Sequence, residues 1–339
     1  MAPEHEESIM TMKSASPPAE AEYPAKQSVV KEPRSHRHPR ERGSRTGPKR
    51  WTSLNWVGLG FVAPAAIYIA VFHLFPVVYG FVLSFTKYSP LSRSGPKFTG
   101  LDNYQALLGD ADFANALLVT GRYVLQVLPL TIVIALLLAL LVNRPFKGVG
   151  IARSALYIPH IVSLTAVSMV WLWMYSQNGL FNDILGSLGL PDQAWLLNED
   201  TALNAASAMR IWKALGSNMV LLLAGLQGIP RELYEASEMD GAGKWYQFRY
   251  VTLPGLRPVL VFVVAMDIIA LSQGFAEIFV LTQGGPLGST TTVNYLIYTQ
   301  AFQYNQLGAA SAMAFVLFAF IAGFSLLAIR GLTGKQSSR

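Results

Sequence analysis

Long apolar stretches recur along this chain, each of about 20 residues or more, which is the length an α-helix needs to cross a bilayer. The chain has 339 residues, of which 52% are hydrophobic and only 14% are charged. A soluble domain carries about 25% charged residues, so the composition disfavours an ordinary soluble enzyme. It predicts an all-α membrane protein with several spans. Cysteine is absent, which excludes disulfides, thiolate zinc sites and a cysteine nucleophile.

Six apolar stretches are predicted to be transmembrane helices, joined by links that are polar or rich in Gly and Pro. They cover about residues 57–85, 116–142, 151–175, 202–226, 259–282 and 308–329. Together they form a predicted membrane domain over residues 51–335. Residues 1–50 are basic, rich in Pro, Ser, Glu and His, and without apolar periodicity. This composition predicts a disordered cytoplasmic tail.

Lys and Arg are distributed unequally between the links, which indicates the orientation. Besides the basic tail, one side holds Arg144, Lys147, Arg153, Arg231, Lys244, Arg249, Arg257, Arg330, Lys335 and Arg339. The other side holds only Lys87, Arg93 and Lys97. Cytoplasmic loops carry the excess of cations, so both termini are predicted to be cytoplasmic. The net charge of +6 is explained by cationic residues that set the orientation of the chain and contact anionic lipid headgroups. No nucleic-acid partner is expected.

The most informative segment is the predicted cytoplasmic loop at residues 228–258. Residues 231–239 are good helix formers, and Gly241 then ends the helix, since Gly readily takes the conformation required at a helix end. A second short helix is predicted over 244–251, and Pro254 stops it. The loop is therefore predicted to be a compact helix–turn–helix.

This loop resembles the coupling loop of the transmembrane subunits of binding-protein-dependent ABC importers. The family's motif runs Glu-Ala-Ala, three residues, Gly, nine residues, Ile, one residue, Leu-Pro. The matching residues here are Glu235, Ala236, Ser237, Gly241, Val251, Leu253 and Pro254. Ser237 and Val251 depart from the motif's Ala and Ile but have similar volumes. Asp240, just before the glycine, is included in the predicted coupling region.

The resemblance extends over nearly the whole chain after the tail. Residues 61–89 resemble the first span of sugar permeases of the maltose and glycerol-phosphate type. Residues 98–104 resemble the short outer motif that follows that span, and residues 281–302 resemble the outer loop between the last two spans. The start of the chain and this last loop are more similar to the first permease of such pairs than to the second.

The resemblance implies a type I ABC importer fold in the cell membrane of a prokaryote. Its expected partners are a second permease that completes a heterodimer, two ATPase subunits and an extracytoplasmic solute-binding protein. The chain has no G-x-x-x-x-G-K-[ST] loop, so ATP and Mg²⁺ are expected to be used by the separate ATPase. No catalytic residue, metal site or bound cofactor is predicted for this chain. Glu235 is expected to make a charge contact with the ATPase, and the solute is expected to be a carbohydrate or sugar-like.

Polar side chains inside the predicted spans are candidates for the solute path, because such groups are costly in a bilayer. They are His160, Lys213, Ser217, Asn218, Asp267 and Gln273. Lys213 and Ser217 share a helix face and fall at positions that resemble contact positions of the family. Lys213 is expected either to bind an anionic group of the solute or to pair with Asp267. The alternative for His160 is a structural hydrogen bond to a neighbouring helix carbonyl.

An ion-coupled secondary transporter is the alternative function, with Asp267, Glu277 and His160 as a proton relay. Such transporters usually have more spans or clear broken-helix repeats, and they have no use for a coupling motif. A membrane enzyme is disfavoured, because His73 and His160 lack metal-binding spacing. Dependence of uptake on an ATPase separates the importer from the ion-coupled transporter.

Overall fold

A computed structural model of the chain describes residues 53–93 and 95–333. The chain divides into two units, Met1–Gly60 and Phe61–Arg339. In the first unit, the description covers only the opening turns of one helix, and the predicted tail at residues 1–50 lies outside the described residues. The second unit contains most of the predicted membrane domain.

The regular secondary structure of the described residues is helical apart from one short hairpin. The helices are α1 (Ser53–Ile69), α2 (Phe75–Leu83), α3 (Asp102–Leu108), α4 (Ala111–Val142), α5 (Val149–Ile161), α6 (Leu164–Met174), α7 (Leu180–Ser187), α8 (Glu199–Gln227), α9 (Arg231–Met239), α10 (Lys244–Gln247), α11 (Leu253–Gly255), α12 (Arg257–Ser272), α13 (Ala276–Leu281), α14 (Val293–Tyr298) and α15 (Leu307–Thr333). Three π-helical turns are Ala70–Leu74, Phe248–Thr252 and Thr299–Gln303. The hairpin strands β1 (Thr86–Lys87) and β2 (Lys97–Phe98) pair antiparallel. The predicted all-α fold class is confirmed.

Three uninterrupted helices in the described residues are long and apolar enough to cross a membrane. They are Gly58–Leu83, Ala111–Val142 and Leu307–Leu327. Two bent pairs also qualify, α5 with α6 at 95° and Lys244–Gly255 with α12 at 63°. Helix α8 has 29 residues, about 43 Å of helix, but polar side chains lower its hydropathy. The count of six spans stays a prediction.

Two predicted spans are interrupted in the structure. The predicted span at 151–175 breaks after Ile161, where Val162 adopts an extended conformation between α5 and α6. The predicted span at 259–282 breaks after Ser272, and the short α13 follows. Both sides of each break are apolar, so hydropathy alone does not reveal it. The helix predicted at 244–251 is present and longer than expected, because α10 continues through the π-helical turn into α11 as one helical stretch, Lys244–Gly255. It therefore runs past Pro254, which was predicted to stop it.

Helix α8 lies at the centre of the packing, in contact with α4, α5, α12 and α13. Its interface with α4 places Ala135 and Ala139 in one buried cluster with Met219 and Leu222. Small residues allow helices to approach closely, and helix association inside a bilayer depends on such packing. The closest approach is to α5, where a Cβ added to Gly216 would meet the backbone of Leu156 and Tyr157.

We predict that Gly216→Ala destabilises the chain, because the new Cβ would lie 2.8 Å from the Tyr157 Cα and one helix must move. Gly121→Ala in α4 is the matched control, since nothing lies within 4 Å of a Cβ built there. Ala in a helix interior is favoured over Gly by about 0.5 to 1 kcal/mol. Thermal unfolding in detergent should give a lower midpoint for Gly216→Ala and an unchanged or higher one for Gly121→Ala. Equal midpoints would contradict the close α5–α8 contact.

Candidate functional site

The loop between α8 and α12 folds as a helix–turn–helix, and α9 covers the predicted residues 231–239. Gly241 follows with a φ of +76°, a left-handed conformation that glycine adopts without strain. Its N–H donates to the Glu238 carbonyl at 3.0 Å, and the Ala242 N–H donates to the Ser237 carbonyl at 2.9 Å. These bonds satisfy carbonyls at the end of α9, as expected for a glycine that ends a helix.

The loop is fastened to the two helices that flank it. The hydroxyls of Tyr234 and Thr252 lie 3.0 Å apart and share a hydrogen bond. Tyr234 also packs against a buried cluster that includes Ile229 and Leu256. Gly255 lies so close to Ile229 that an added Cβ would be 2.9 Å from that side chain. α9 is therefore in direct contact, through Tyr234, with residues at the end of α8 and the start of α12.

One face of α9, together with much of the segment that follows it, is exposed on the surface of the chain. The exposed residues of the coupling motif are Glu235, Ala236, Asp240, Gly241 and Pro254, while Ser237 and Leu253 are partly buried. Large apolar side chains accompany them, since Met239 is 89% exposed and Trp245 is 75% exposed. An exposed apolar surface next to charged groups is typical of a protein-binding site. We call this surface the α9 face.

Lys213 caps the broken end of α5. It is a buried residue, and its Nζ donates to the carbonyls of Pro159 at 3.1 Å, His160 at 3.2 Å and Val162 at 2.6 Å. The last carbonyls of a helix have no partner within it, and a cation is favoured there by the helix dipole. The pairing of Lys213 with Asp267 considered from the sequence does not form, because the ammonium group is directed to α5.

Asn218 and Asp267 form the direct contact between α8 and α12 among the candidate residues. The Asn218 Nδ2 donates to the Asp267 Oδ2 at 2.6 Å, and Asn218 is buried while Asp267 is partly buried. Within the described residues, Asp267 Oδ1 makes no hydrogen bond. The Asp267 Oδ1 and the side-chain amide of Asn218 form a polar pair that can bind a solute hydroxyl.

The other candidates are more scattered. The hydroxyl of Ser217 donates to the Ala214 carbonyl of its own helix at 3.0 Å. The side chain of His160 is exposed, with its ring centroid 5.4 Å from that of Tyr157. Gln273 is exposed just beyond α12. In the described residues, neither Ser217 nor Gln273 makes a side-chain hydrogen bond to another candidate.

Sequence reasoning misses a buried charge cluster between α4, α8 and α13. Glu277 is fully buried, and its Oε1 accepts a hydrogen bond from the Tyr123 hydroxyl at 2.9 Å. The same oxygen lies 3.9 Å from the Arg210 Nε, which is an ion pair but not a hydrogen bond. The signal in the sequence is that Arg210 and Glu277 are charged groups within largely apolar segments. Only the folded chain shows that the three meet.

Known proteins resemble this chain over most of its length. Residues 114–332 match the family described as binding-protein-dependent transport system inner membrane component. The arabinooligosaccharides transport system permease protein AraP of Bacillus subtilis is 36% identical, over 80% of this chain and 86% of that protein. The trehalose/maltose transport system permease protein MalF of Thermococcus litoralis is 34% identical, over 81% of this chain and 92% of that protein.

The fold also resembles that of a solved transporter. A chain of a bacterial ABC transporter involved in the import of the acidic polysaccharide alginate superimposes with a TM-score of 0.73. It is 22% identical, and the match covers 84% of this chain and 97% of that chain. This likeness confirms the predicted importer fold.

The charge cluster predicts a large cost for removing one partner. Arg210→Met should destabilise the chain by about 3 to 5 kcal/mol, since it leaves a buried carboxylate unpaired. Glu277→Met should also be destabilising, and the double variant should cost less than the sum of the two. The measurement is the free energy of unfolding in detergent for all three variants. Arg122→Met removes an exposed arginine of α4 and is the control, expected within about 0.5 kcal/mol of the parent chain. A cost for Arg210→Met no larger than this control would contradict the pairing.

Proposed function

This chain belongs to the family of binding-protein-dependent transport system inner membrane components, and on that premise we propose that it is the permease subunit through which a carbohydrate enters the cell. It is a transport subunit of an ABC importer and not an enzyme. The observation that carries the proposal is the α9 face, which presents the coupling motif on an exposed helix fastened to two long helices. The carbohydrate is supported by the relatives named for arabinooligosaccharides and for trehalose and maltose.

The α9 face is the docking site of a separate ATPase that binds ATP and Mg²⁺. Glu235 makes a charge contact there, and Met239 and Trp245 bury apolar surface against the ATPase. Closure of the ATPase on ATP moves α9, and the Tyr234–Thr252 contact carries that movement to α8 and α12. An ATPase can change the arrangement of the transmembrane helices only if it binds the two arrangements with different affinities. That difference in affinity arises at its contacts with α9.

The solute path runs along the polar side chains of α8 and α12. Sugar hydroxyls lose their water on entering the membrane and need hydrogen-bond partners there. The Asn218–Asp267 pair supplies such partners in this chain, and a second, related permease supplies the other half of the path. A binding protein outside the cell delivers the solute, which completes an assembly with two permeases and two ATPase subunits.

The ion-coupled alternative lacks support from the geometry. A proton relay needs its groups linked by hydrogen bonds or water, whereas Glu277 is held by Arg210 and Tyr123, and Asp267 by Asn218. In residues 53–93 and 95–333, no hydrogen bond joins Asp267, Glu277 and His160 to one another. The ATP-driven importer therefore remains the favoured function.

Disruption of the α9 face should release the ATPase while leaving the second permease bound. Glu235→Lys reverses the proposed charge contact. Gly241→Val places a β-branched residue at a positive φ, where such residues are rarely accommodated. Affinity purification of the tagged chain in mild detergent should recover about tenfold less ATPase, or less still, with either variant than with the wild-type chain. A tenfold loss corresponds to about 1.4 kcal/mol of contact energy. Asp183→Lys in α7 is the control and should retain it. Failure of the wild-type chain to bring down any ATPase would refute the docking proposal.

The distribution of Lys and Arg predicts that α7 lies outside the cell and the link between α4 and α5 inside. The chain has no cysteine, so single cysteines report position without background. In intact spheroplasts, a membrane-impermeant maleimide should label Ser187→Cys and leave Arg144→Cys unlabelled until the membrane is permeabilised. Both positions are exposed, so accessibility within the protein is matched. The reverse pattern would show that the orientation is wrong.

A further inference from the structure

A cavity of about 720 Å³ lies on the predicted outer side of the chain. One wall is the end of α6 and the turn that follows it, from Met169 to Gln177. A second wall is the extended segment 192–197, and the floor is formed by Leu281, Thr282 and the Gly285–Pro286 turn. The volume falls within the range of about 300 to 1,000 Å³ that is usual for small-molecule sites. None of the candidate residues for coupling or for the solute path lines it.

The cavity wall is held in place by one buried amide. Asn182 in α7 is buried, and its Oδ1 accepts hydrogen bonds from the Gln193 N–H at 3.1 Å and the Trp195 Nε1 at 3.0 Å. Its Nδ2 donates to the carbonyls of Gln177 at 3.2 Å and Gln193 at 3.1 Å. The two walls are therefore fixed relative to each other before any ligand binds, which reduces the ordering cost of binding.

The lining combines aromatic rings with unused polar groups. Trp173 is 61% exposed at the cavity, and Trp195 lies in the opposite wall, 5.9 Å from the ring of Tyr175. Within the described residues, the side chains of Gln177, Asp192 and Gln193 make no hydrogen bond, although all three line the cavity. Amides donate hydrogen bonds to hydroxyl groups and accept them, a carboxylate accepts them, and an aromatic face packs against C–H groups.

We infer that this cavity is a carbohydrate subsite at the outer mouth of the path, where a sugar ring packs on Trp173 and its hydroxyls bond to Gln177, Asp192 and Gln193. The inference rests on the proposed function, because it needs a carbohydrate on the outer side. Sugar rings present C–H faces and a rim of hydroxyls, which is the chemistry that this lining matches. The subsite would hold the solute after release from the binding protein and before it reaches Asn218 and Asp267.

The test is saturation-transfer NMR on the detergent-solubilised importer without its binding protein, with lactose, trehalose and L-arabinotriose as probes. The wild-type importer should transfer magnetisation to at least one of them. Trp173→Ala should raise the dissociation constant about tenfold, which corresponds to about 1.4 kcal/mol. Asp192→Asn should raise it severalfold, because it weakens a hydrogen bond to a charged group. Trp173→Phe should restore most of the affinity. Asp183→Asn and Leu188→Ala alter exposed residues of the same outer region and should leave the dissociation constant unchanged.

Two results would overturn the subsite. One is the absence of transfer to all three sugars. The other is a transfer signal that Trp173→Ala leaves unchanged. This result overturns the subsite even if Trp173→Ala weakens the interaction of the importer with its binding protein. Uptake of the same sugars by the wild-type importer is measured in parallel. Uptake without transfer defeats the subsite alone, whereas transport driven without the ATPase defeats the proposed function.

Discussion

A polar side chain inside a bilayer has no water to bond, so each one must find its partner within the protein. Three of the polar side chains of α8, namely Arg210, Lys213 and Asn218, each reach a different element. Arg210 pairs with Glu277 on α13, Lys213 bonds the carbonyls at the end of α5, and Asn218 bonds Asp267 on α12. Because its polar groups need partners, α8 contacts the end of α5 at the α5–α6 break, and it contacts both α12 and α13 on either side of the second break.

The same helix leads directly into the α9 face. Its last residues share a buried cluster with Ile229 and Leu256, against which Tyr234 packs. The chain therefore joins an exposed docking surface to the polar interior through one continuous helix and one hydrogen-bonded loop. In the proposed mechanism, a displacement of α9 would reach Lys213 and Asn218 through α8, because packed helices tend to move as rigid units.

Local signals predicted the features that are determined locally. The extent of α9 follows from a run of good helix formers and from Gly241 after it, so its bounds were correct from the sequence. The breaks were not predictable in this way. The end of α5 is stabilised by Lys213 from another helix, and the pairing of Tyr123 with Glu277 joins residues far apart in the chain. Hydropathy shows that such groups lie in apolar segments but not which of them meet. For the same reason the pairing of Lys213 with Asp267 was wrong, since the ammonium group bonds the carbonyls of Pro159, His160 and Val162.

The central claim is that this chain moves a solute because an ATPase acts on the α9 face. The most direct measurement is uptake of a labelled sugar by proteoliposomes that contain the complete importer, with the binding protein outside and ATP inside. The account predicts uptake that needs ATP and the binding protein, is abolished by Glu235→Lys, and is unaffected by dissipating proton and sodium gradients. Uptake that continues without ATP and collapses with the ion gradient would contradict it.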